Sequence, residues 1–159
     1  MYLIDSDVLI DAKNFHYGFD LVPGFWTWIE KAHLAGKVFV VQKIADEVYG
    51  QSDELAAWMK AQPDSFRLAP QEEDVPCMQA VAEWAQNCER LRQSAIATFL
   101  NCGDFYIISQ ALRHGYTVVT QELPAPESKT SVKIPDACMA VGVDWVSPFE
   151  MLRRENAQL

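Results

Sequence analysis

The chain has 159 residues, half of them hydrophobic, which is an ordinary globular composition and is enough for a single domain over residues 1–159. Its formal net charge of -9 excludes a protein that holds nucleic acid by surface charge alone, unless acids gathered in one site bind bridging cations; a basic partner protein also fits this charge. Acids interrupt the N-terminus and no apolar run has the length of a membrane span, so we expect a cytoplasmic protein without signal peptide or membrane contact.

The first ten residues combine a buried strand with acidic residues. Residues 2–4 form a short apolar run, which is typical of a strand buried on both faces of a parallel sheet. Asp5 follows where this strand should end, and Ser6 and Asp7 are good N-caps for a short helix at 8–12. Sites in open α/β sheets lie outside the carboxyl ends of the strands, so Asp5 is a candidate catalytic acid, whereas Asp7 could equally be only a cap.

Strands and helices alternate along the rest of the chain. Short apolar runs predict strands at 38–41, 66–68, 116–119 and 143–146, the second of these at an edge of the sheet. The alternation favours an α/β fold, a three-layer sandwich with a central, mainly parallel sheet of four or five strands. Residues 123–133 are predicted to form a loop, and they are the most basic stretch of the chain. Helices are predicted from Pro23 to a stop at Gly36, at 43–49, from a cap at Ser52 to Pro63, at about 71–100, from 104 to 114, from 134 onward and at 148–154.

Five acidic residues stand at predicted strand ends or helix starts: Asp5, Glu47, Asp104, Glu122 and Asp136. Acids that converge on one edge of a sheet repel one another unless a cation joins them. Ligand sets made only of oxygen select hard cations, so this set predicts a Mg²⁺ or Mn²⁺ site. Such an ion supports phosphodiester hydrolysis, although any single acid of the set could equally be a solvated surface residue.

The order of these acids resembles that of PIN-domain nucleases. The opening Tyr-Leu-Ile-Asp-Ser-Asp-Val-Leu-Ile is similar to the family's apolar-Asp-Thr-Asn-Val-Leu-Ile, with Ser6 and Asp7 keeping a hydroxyl and an oxygen ligand. Glu47 in Ile-Ala-Asp-Glu-Val matches the family's second acid. Asp104 in Gly-Asp-Phe-Tyr-Ile-Ile-Ser-Gln-Ala-Leu matches its third, and Glu122 in Val-Val-Thr-Gln-Glu its fourth.

The resemblance covers essentially the whole chain and is closest to a PIN-like subgroup. The motifs of this subgroup are Val-Thr-x-Glu, Lys-Ile-Pro-Asp and Pro-Phe-Glu-Met-Leu, which this chain has at 119–122, 133–136 and 148–152. The chain departs from the wider family at the fourth acid, where Glu122 replaces the usual aspartate and Asp136 could serve instead.

The resemblance implies a Mg²⁺- or Mn²⁺-dependent endoribonuclease, close to the toxins of VapBC-type toxin–antitoxin systems. Its implied partners are an RNA substrate, a basic antitoxin protein and a second copy of the chain in a homodimer. Ser6 and Asp7 would support the site by orienting a ligand or a water. The implied catalytic residues are Asp5, Glu47, Asp104 and Glu122, and the implied metal ligands are Asp5, Asp104, Glu122 and Asp136.

Two alternatives remain open at the level of sequence. Asp5-Ser-Asp7-Val also resembles the opening of haloacid-dehalogenase-type phosphatases, in which Asp5 would be the nucleophile. A PIN-like module that only binds RNA or a partner is the second alternative. The four cysteines form no Cys-x-x-Cys pair, which favours reduced, buried thiols over a zinc site. Serine hydrolase and phosphate-loop motifs are absent.

Overall fold

Five short parallel strands form one sheet in the order β3-β2-β1-β4-β5 in the structure, a computed structural model that describes residues 1–159. Every neighbouring pair in this sheet is parallel, which confirms the predicted α/β fold with its central parallel sheet. The strands are β1 (Tyr2–Ile4), β2 (Val38–Val41), β3 (Arg67–Leu68), β4 (Thr117–Val119) and β5 (Trp145–Val146).

Helices pack on the sheet and form the outer layers of the three-layer sandwich. None of them is both long enough and apolar enough to cross a membrane. Short π- and 3₁₀-helical turns occur at Ala12–His16, Asp64–Phe66 and Glu72–Asp74. The α-helices are α1 (Ser6–Asp11), α2 (Pro23–Leu34), α3 (Gln42–Tyr49), α4 (Glu54–Ala61), α5 (Val75–Asn87), α6 (Gln93–Asn101), α7 (Gly103–His114), α8 (Ile134–Val141) and α9 (Pro148–Arg154).

The first strand is the centre of the sheet because it is apolar on both faces. Leu3 and Ile4 have no exposed surface, and Tyr2 pairs with Val38 on one side and with Thr117 on the other. A strand between two parallel neighbours loses solvent on both faces, which is why its apolar run is continuous rather than alternating. The residue that follows β1 therefore stands in the middle of the carboxyl edge of the sheet.

Two helix starts differ from their prediction. The N-cap of α1 is Asp5, and Ser6 and Asp7 already belong to the helix. The N-cap of α4 is Asp53, whose side chain accepts from the backbone N–H of Ala56 at 3.0 Å, so Ser52 is not the cap. In both cases a neighbouring acid takes the capping position, and sequence preference alone does not choose between adjacent capping residues.

The predicted helix over residues 71–100 is divided into α5 and α6. Cys88 leaves the helical conformation with ψ 92°, and the backbone N–H of Arg92 donates to the carbonyl of Lys129 at 2.9 Å. The connection between the two helices thus bonds to a loop almost forty residues further along, which local apolar spacing does not reveal. The last strand is also shorter than predicted, covering Trp145–Val146 rather than 143–146.

All four cysteines are free thiols, as the sequence predicts for this spacing. Only Cys138 is fully buried, whereas Cys77, Cys88 and Cys102 are half-buried, so the expectation of burial holds for one of the four. Burial raises the pKa of Cys138 to about 12, which makes it an unreactive core residue.

Candidate active site

The carboxyl edge of the sheet brings five acidic side chains together. Asp5 follows β1, Glu122 follows β4, and Asp104 lies in the first turn of α7. Asp7 in the first turn of α1 and Glu47 in α3 complete the group. The charges of Asp104, Asp7 and Glu122 act on Asp5, and those of Glu122, Glu47 and Asp7 act on Asp104. We call these five side chains the acid cluster.

Asp5 is the most deeply buried member of the acid cluster, with 2% of its surface exposed. Its backbone N–H donates to the carbonyl of Val119 at 3.0 Å, which fixes the residue against β4. The Thr120 hydroxyl donates to Asp5 Oδ2 at 3.2 Å, and the Ser6 hydroxyl lies 3.4 Å from Oδ1. Burial raises the pKa of Asp5 well above its ordinary value, and the negative charges of the neighbouring acids raise it further.

Asp104 has its carboxylate free of hydrogen bonds. Burial raises the pKa of Asp104 to about 7, and the charges of Glu122, Glu47 and Asp7 contribute to this increase. Lys133 opposes the shift but does not offset it. A carboxylate in this environment gains from any cation that it can coordinate, because burial and repulsion both disfavour its bare charge.

Glu47 joins α3 to the start of α7. Its Oε1 accepts from the backbone N–H of Gly103 at 2.8 Å, and the Ser6 hydroxyl lies 3.4 Å from its Oε2. A carboxylate at this position satisfies one of the free N–H groups of a helix N-terminus and is stabilised by the helix dipole. Gly103 permits the contact because an added Cβ would lie 2.4 Å from Ile44 Cδ1 and 2.9 Å from Glu47 Oε2.

Glu122 is held by two partners that precede or begin α8. Its Oε1 accepts from Lys133 Nζ at 2.7 Å, and its Oε2 accepts from the backbone N–H of Ile134 at 2.7 Å. Its own backbone N–H donates to the Thr120 hydroxyl at 3.1 Å, so one threonine orients both Asp5 and Glu122. The hydrogen bond to Glu122 raises the pKa of Lys133, and the charges of Glu122, Asp104 and Asp7 raise it further, which keeps its ammonium charged.

The carboxylate of Asp136 bonds to a backbone N–H group and does not join the acid cluster. Its Oδ2 accepts from the backbone N–H of Ala125 at 2.9 Å, so it holds the loop that leads away from β4. Its Oδ1 is buried and has no hydrogen-bond partner. Asp136 does not figure among the charges that shift the pKa of Asp5 or Asp104.

The chemistry of the acid cluster fits a hard divalent cation. All its donors are carboxylate oxygens, which Mg²⁺ and Mn²⁺ prefer. As the side chains stand, no group of three or more His, Cys, Asp or Glu residues is arranged to hold a metal ion. Glu47 and Glu122 are bonded to helix N-termini, and Asp5 accepts from the Thr120 hydroxyl, whereas the carboxylates of Asp104 and Asp7 make no hydrogen bond.

Three residues at this site did not belong to the predicted set. Thr120 orients Asp5 and Glu122, Gly103 makes room for Glu47, and Lys133 is the cation that bonds to Glu122. Each of them stands in a motif that the sequence already shows, namely Val-Thr-x-Glu, Gly-Asp and Lys-Ile-Pro-Asp. Their partners are distant in sequence, so the motifs alone do not reveal these contacts.

Comparisons with known proteins identify the fold and a family. A family model described as "Domain of unknown function (DUF4411)" matches residues 2–159. A solved structure, "Structure of FitAB bound to IR36 DNA fragment", is similar with a TM-score of 0.56 and 16% sequence identity, covering 94% of this chain and 96% of that chain. None of the curated proteins matches. At this identity the likeness shows the fold, which is the PIN-like fold that the sequence predicted.

Proposed function

We propose that the chain, which belongs to the family described as "Domain of unknown function (DUF4411)", is a Mg²⁺- or Mn²⁺-dependent endoribonuclease. The description of the family gives no activity, so the proposal rests on the site. The acid cluster at the carboxyl edge of the PIN-like sheet is the observation that carries this proposal. Asp5 and Asp104 are largely buried there and repel each other, which is unfavourable without a bound cation. A solvated set of surface acids would not have these environments.

Asp5 and Asp104 would hold the ion, and Glu122 would complete the site. Glu122 is favoured over Asp136 as the further ligand because its charge acts directly on both Asp5 and Asp104, whereas Asp136 binds the backbone of Ala125. Glu122 would have to give up Lys133 or Ile134 to do so. When bound, Mg²⁺ or Mn²⁺ would activate water for attack and stabilise charge on the phosphodiester.

The protein's own residues would position the reactants. Thr120 donates to Asp5 and so fixes which oxygen of that carboxylate faces the site. Glu47 is anchored on Gly103 and keeps the start of α7, and with it Asp104, in place. The ammonium of Lys133 stands among the acids and would contact phosphate oxygens of the substrate once Glu122 is engaged elsewhere. Ser6 and Asp7 border Asp5 and would orient a water.

We place this activity in the toxin component of a type II toxin–antitoxin system, inhibited by a basic antitoxin and acting as a homodimer in the cytoplasm. The resemblance of the sequence to PIN-domain toxins and the net charge of -9 support this setting. Induced expression in a bacterial host tests it, because a toxin arrests growth and degrades RNA, whereas its Asp5→Asn variant does neither.

Asp5→Asn is the direct test of the catalytic assignment. We expect the variant to keep its fold and to lose at least 100-fold in metal-dependent RNA cleavage, on the order expected when a principal charge-stabilising group is removed. Asp144→Asn is the matched control, since Asp144 is exposed and precedes β5 at the opposite edge of the sheet. Cleavage of RNA by Asp5→Asn at the wild-type rate would contradict the assignment.

The alternatives predict other outcomes of simple assays. A haloacid-dehalogenase-type phosphatase would form a beryllofluoride adduct on Asp5, and a metal-dependent nuclease would not. A non-catalytic PIN-like module would bind RNA or a partner and leave RNA intact at every metal concentration. No observation in the structure favours either alternative over the nuclease.

A further inference from the structure

A groove leads away from the acid cluster. It has a volume of about 250 Å³ and lies between α6 and residues 130–133, with Asp104 and Glu122 among its lining. The exposed hydroxyl-bearing residues Thr98 and Thr130 line its two sides. Its lining on α6 runs from Ala95 to Phe99, which is about 6 Å along the helix.

Three basic residues stand next to the lining of this groove in the chain, Arg90 and Arg92 before α6 and Lys129 directly before Thr130. The backbone N–H of Arg92 donates to the carbonyl of Lys129 at 2.9 Å, and Arg90 Nε donates to the carbonyl of Ser128 at 3.3 Å. These bonds join the connection between α5 and α6 to the loop that follows β4. We call Arg90, Arg92 and Lys129 the basic cluster.

The basic cluster has no carboxylate partner. Six of the 13 Lys and Arg residues of the chain form ion pairs, and none of the three belongs to that group. The side chains of Arg92 and Lys129 are exposed, and the neighbouring Glu89 and Glu127 are not bonded to them. In a chain of net charge -9, unneutralised cations in one place form a local anion-binding surface.

We propose that the basic cluster binds phosphate groups of the RNA strand and that the groove guides this strand to the acid cluster. This inference rests on the proposed ribonuclease function. A polyanion gains electrostatic energy at unpaired cations, and the basic cluster brings three of them next to a groove that Asp104 and Glu122 line. The guanidinium of Arg92 can hold a phosphate by two parallel hydrogen bonds, and Lys129 can act as a point charge beside it.

The groove would also determine which phosphodiester of a bound strand reaches the acid cluster. Contacts to phosphate set the position of a strand without reading its sequence. A strand held by the basic cluster beside the groove would present a later phosphodiester to Asp104 and Glu122, which line it. Thr98 and Thr130 also line the groove, and their hydroxyls can bond to phosphate or sugar oxygens.

The test compares two double variants of equal charge change. Arg92→Gln with Lys129→Gln removes two cations of the basic cluster, and Lys31→Gln with Arg153→Gln removes two exposed, unpaired cations elsewhere. Binding of a fluorescent single-stranded RNA is measured by anisotropy in the Asp5→Asn background, which prevents cleavage. We expect the first pair to weaken binding at least 10-fold and to reduce the slope of log K against log salt by about 1.4, at roughly 0.7 per phosphate contact.

The control pair should change binding by less than about twofold. Equal losses in both pairs would overturn the proposal, because they would show a response to net charge alone. RNA binding that is unchanged in the Arg92→Gln and Lys129→Gln variant would also overturn it. When Asp5 is left unchanged, so that the protein cleaves RNA, Arg92→Gln with Lys129→Gln should raise KM more than it lowers kcat.

The failure of the proposed function gives a different result. If the wild-type protein does not cleave RNA in Mg²⁺ or Mn²⁺, the ribonuclease assignment fails. The RNA-binding role of the basic cluster is then still decided by the anisotropy comparison, which needs no cleavage.

Discussion

Asp104 couples the charge of the site to the stability of the fold. Its pKa is raised to about 7 in the folded protein, whereas an unfolded chain keeps the ordinary value of 3.8. Besides burial, the groups responsible are Glu122, Glu47 and Asp7, with Lys133 acting against them. The metal-free folded state therefore binds the proton more tightly, and its stability falls as the pH rises from about 4 to about 7.

Asp104→Asn should for this reason stabilise the metal-free protein at neutral and higher pH. We expect a gain of about 1–3 kcal/mol in the free energy of unfolding at about pH 8, fading to near zero at about pH 3, where Asp104 is mostly protonated in both states. Urea unfolding in the presence of a chelator measures it. Asp144→Asn should show no such pH-dependent gain, and an equal gain at both pH values would contradict the explanation.

At the scale of elements, the site depends on how α3 meets α7. Glu47 of α3 bonds to the first N–H of α7, and fully buried Ile44 packs against Gly103 in the same place. This junction sets the position of Asp104, which is the next residue along α7. Packing between two helices thus becomes a condition for the geometry of the acid cluster.

Gly103→Ala tests this junction. The new methyl group would lie 2.4 Å from Ile44 Cδ1 and would displace the Glu47 carboxylate, so we expect a loss of about 1–3 kcal/mol in unfolding free energy and a parallel loss of metal-dependent cleavage. Gly50→Ala is the control, because its nearest neighbour is 3.4 Å away and its φ is -63°, which alanine adopts easily. Similar effects of the two substitutions would argue against the junction.

At the scale of the whole molecule, the chain has an excess of negative charge, and part of this charge is concentrated in the acid cluster. The net charge is -9, and five carboxylates converge on one edge of the sheet with Lys133 as the cation bonded to them. A divalent cation that binds only the folded state should stabilise it through mass action. Global stability is therefore a readout of the site that does not require any substrate.

Addition of Mn²⁺ should raise the Tm of the wild-type protein, by the equivalent of about 2.7 kcal/mol at a metal concentration 100 times the Kd. Asp5→Asn should lose most of this increase while keeping a cooperative transition. Differential scanning calorimetry measures both, and NaCl at matched ionic strength controls for general screening. An equal increase with NaCl would exclude a specific site.

The sequence by itself determined most of the elements of this protein, because most of their causes are local; the division of residues 71–100 into α5 and α6 is the exception. The apolar run at Tyr2–Ile4 requires burial on both faces, and helix α9 has the predicted bounds because Ser147 caps it and Pro148 occupies its first turn. The acids at strand ends and helix starts could be located for the same reason. Their catalytic and metal-binding roles are still predictions.

Only the tertiary structure decided which of these residues meet. The strand order places Thr120 against Asp5 across 115 positions of the chain, and Glu47 against Gly103 across 56. The loop that joins Lys129 to Arg92, and so assembles the basic cluster, depends in the same way on a contact between distant segments. Such contacts follow from the packing of helices on the sheet, and no local periodicity records which distant partners a side chain will have.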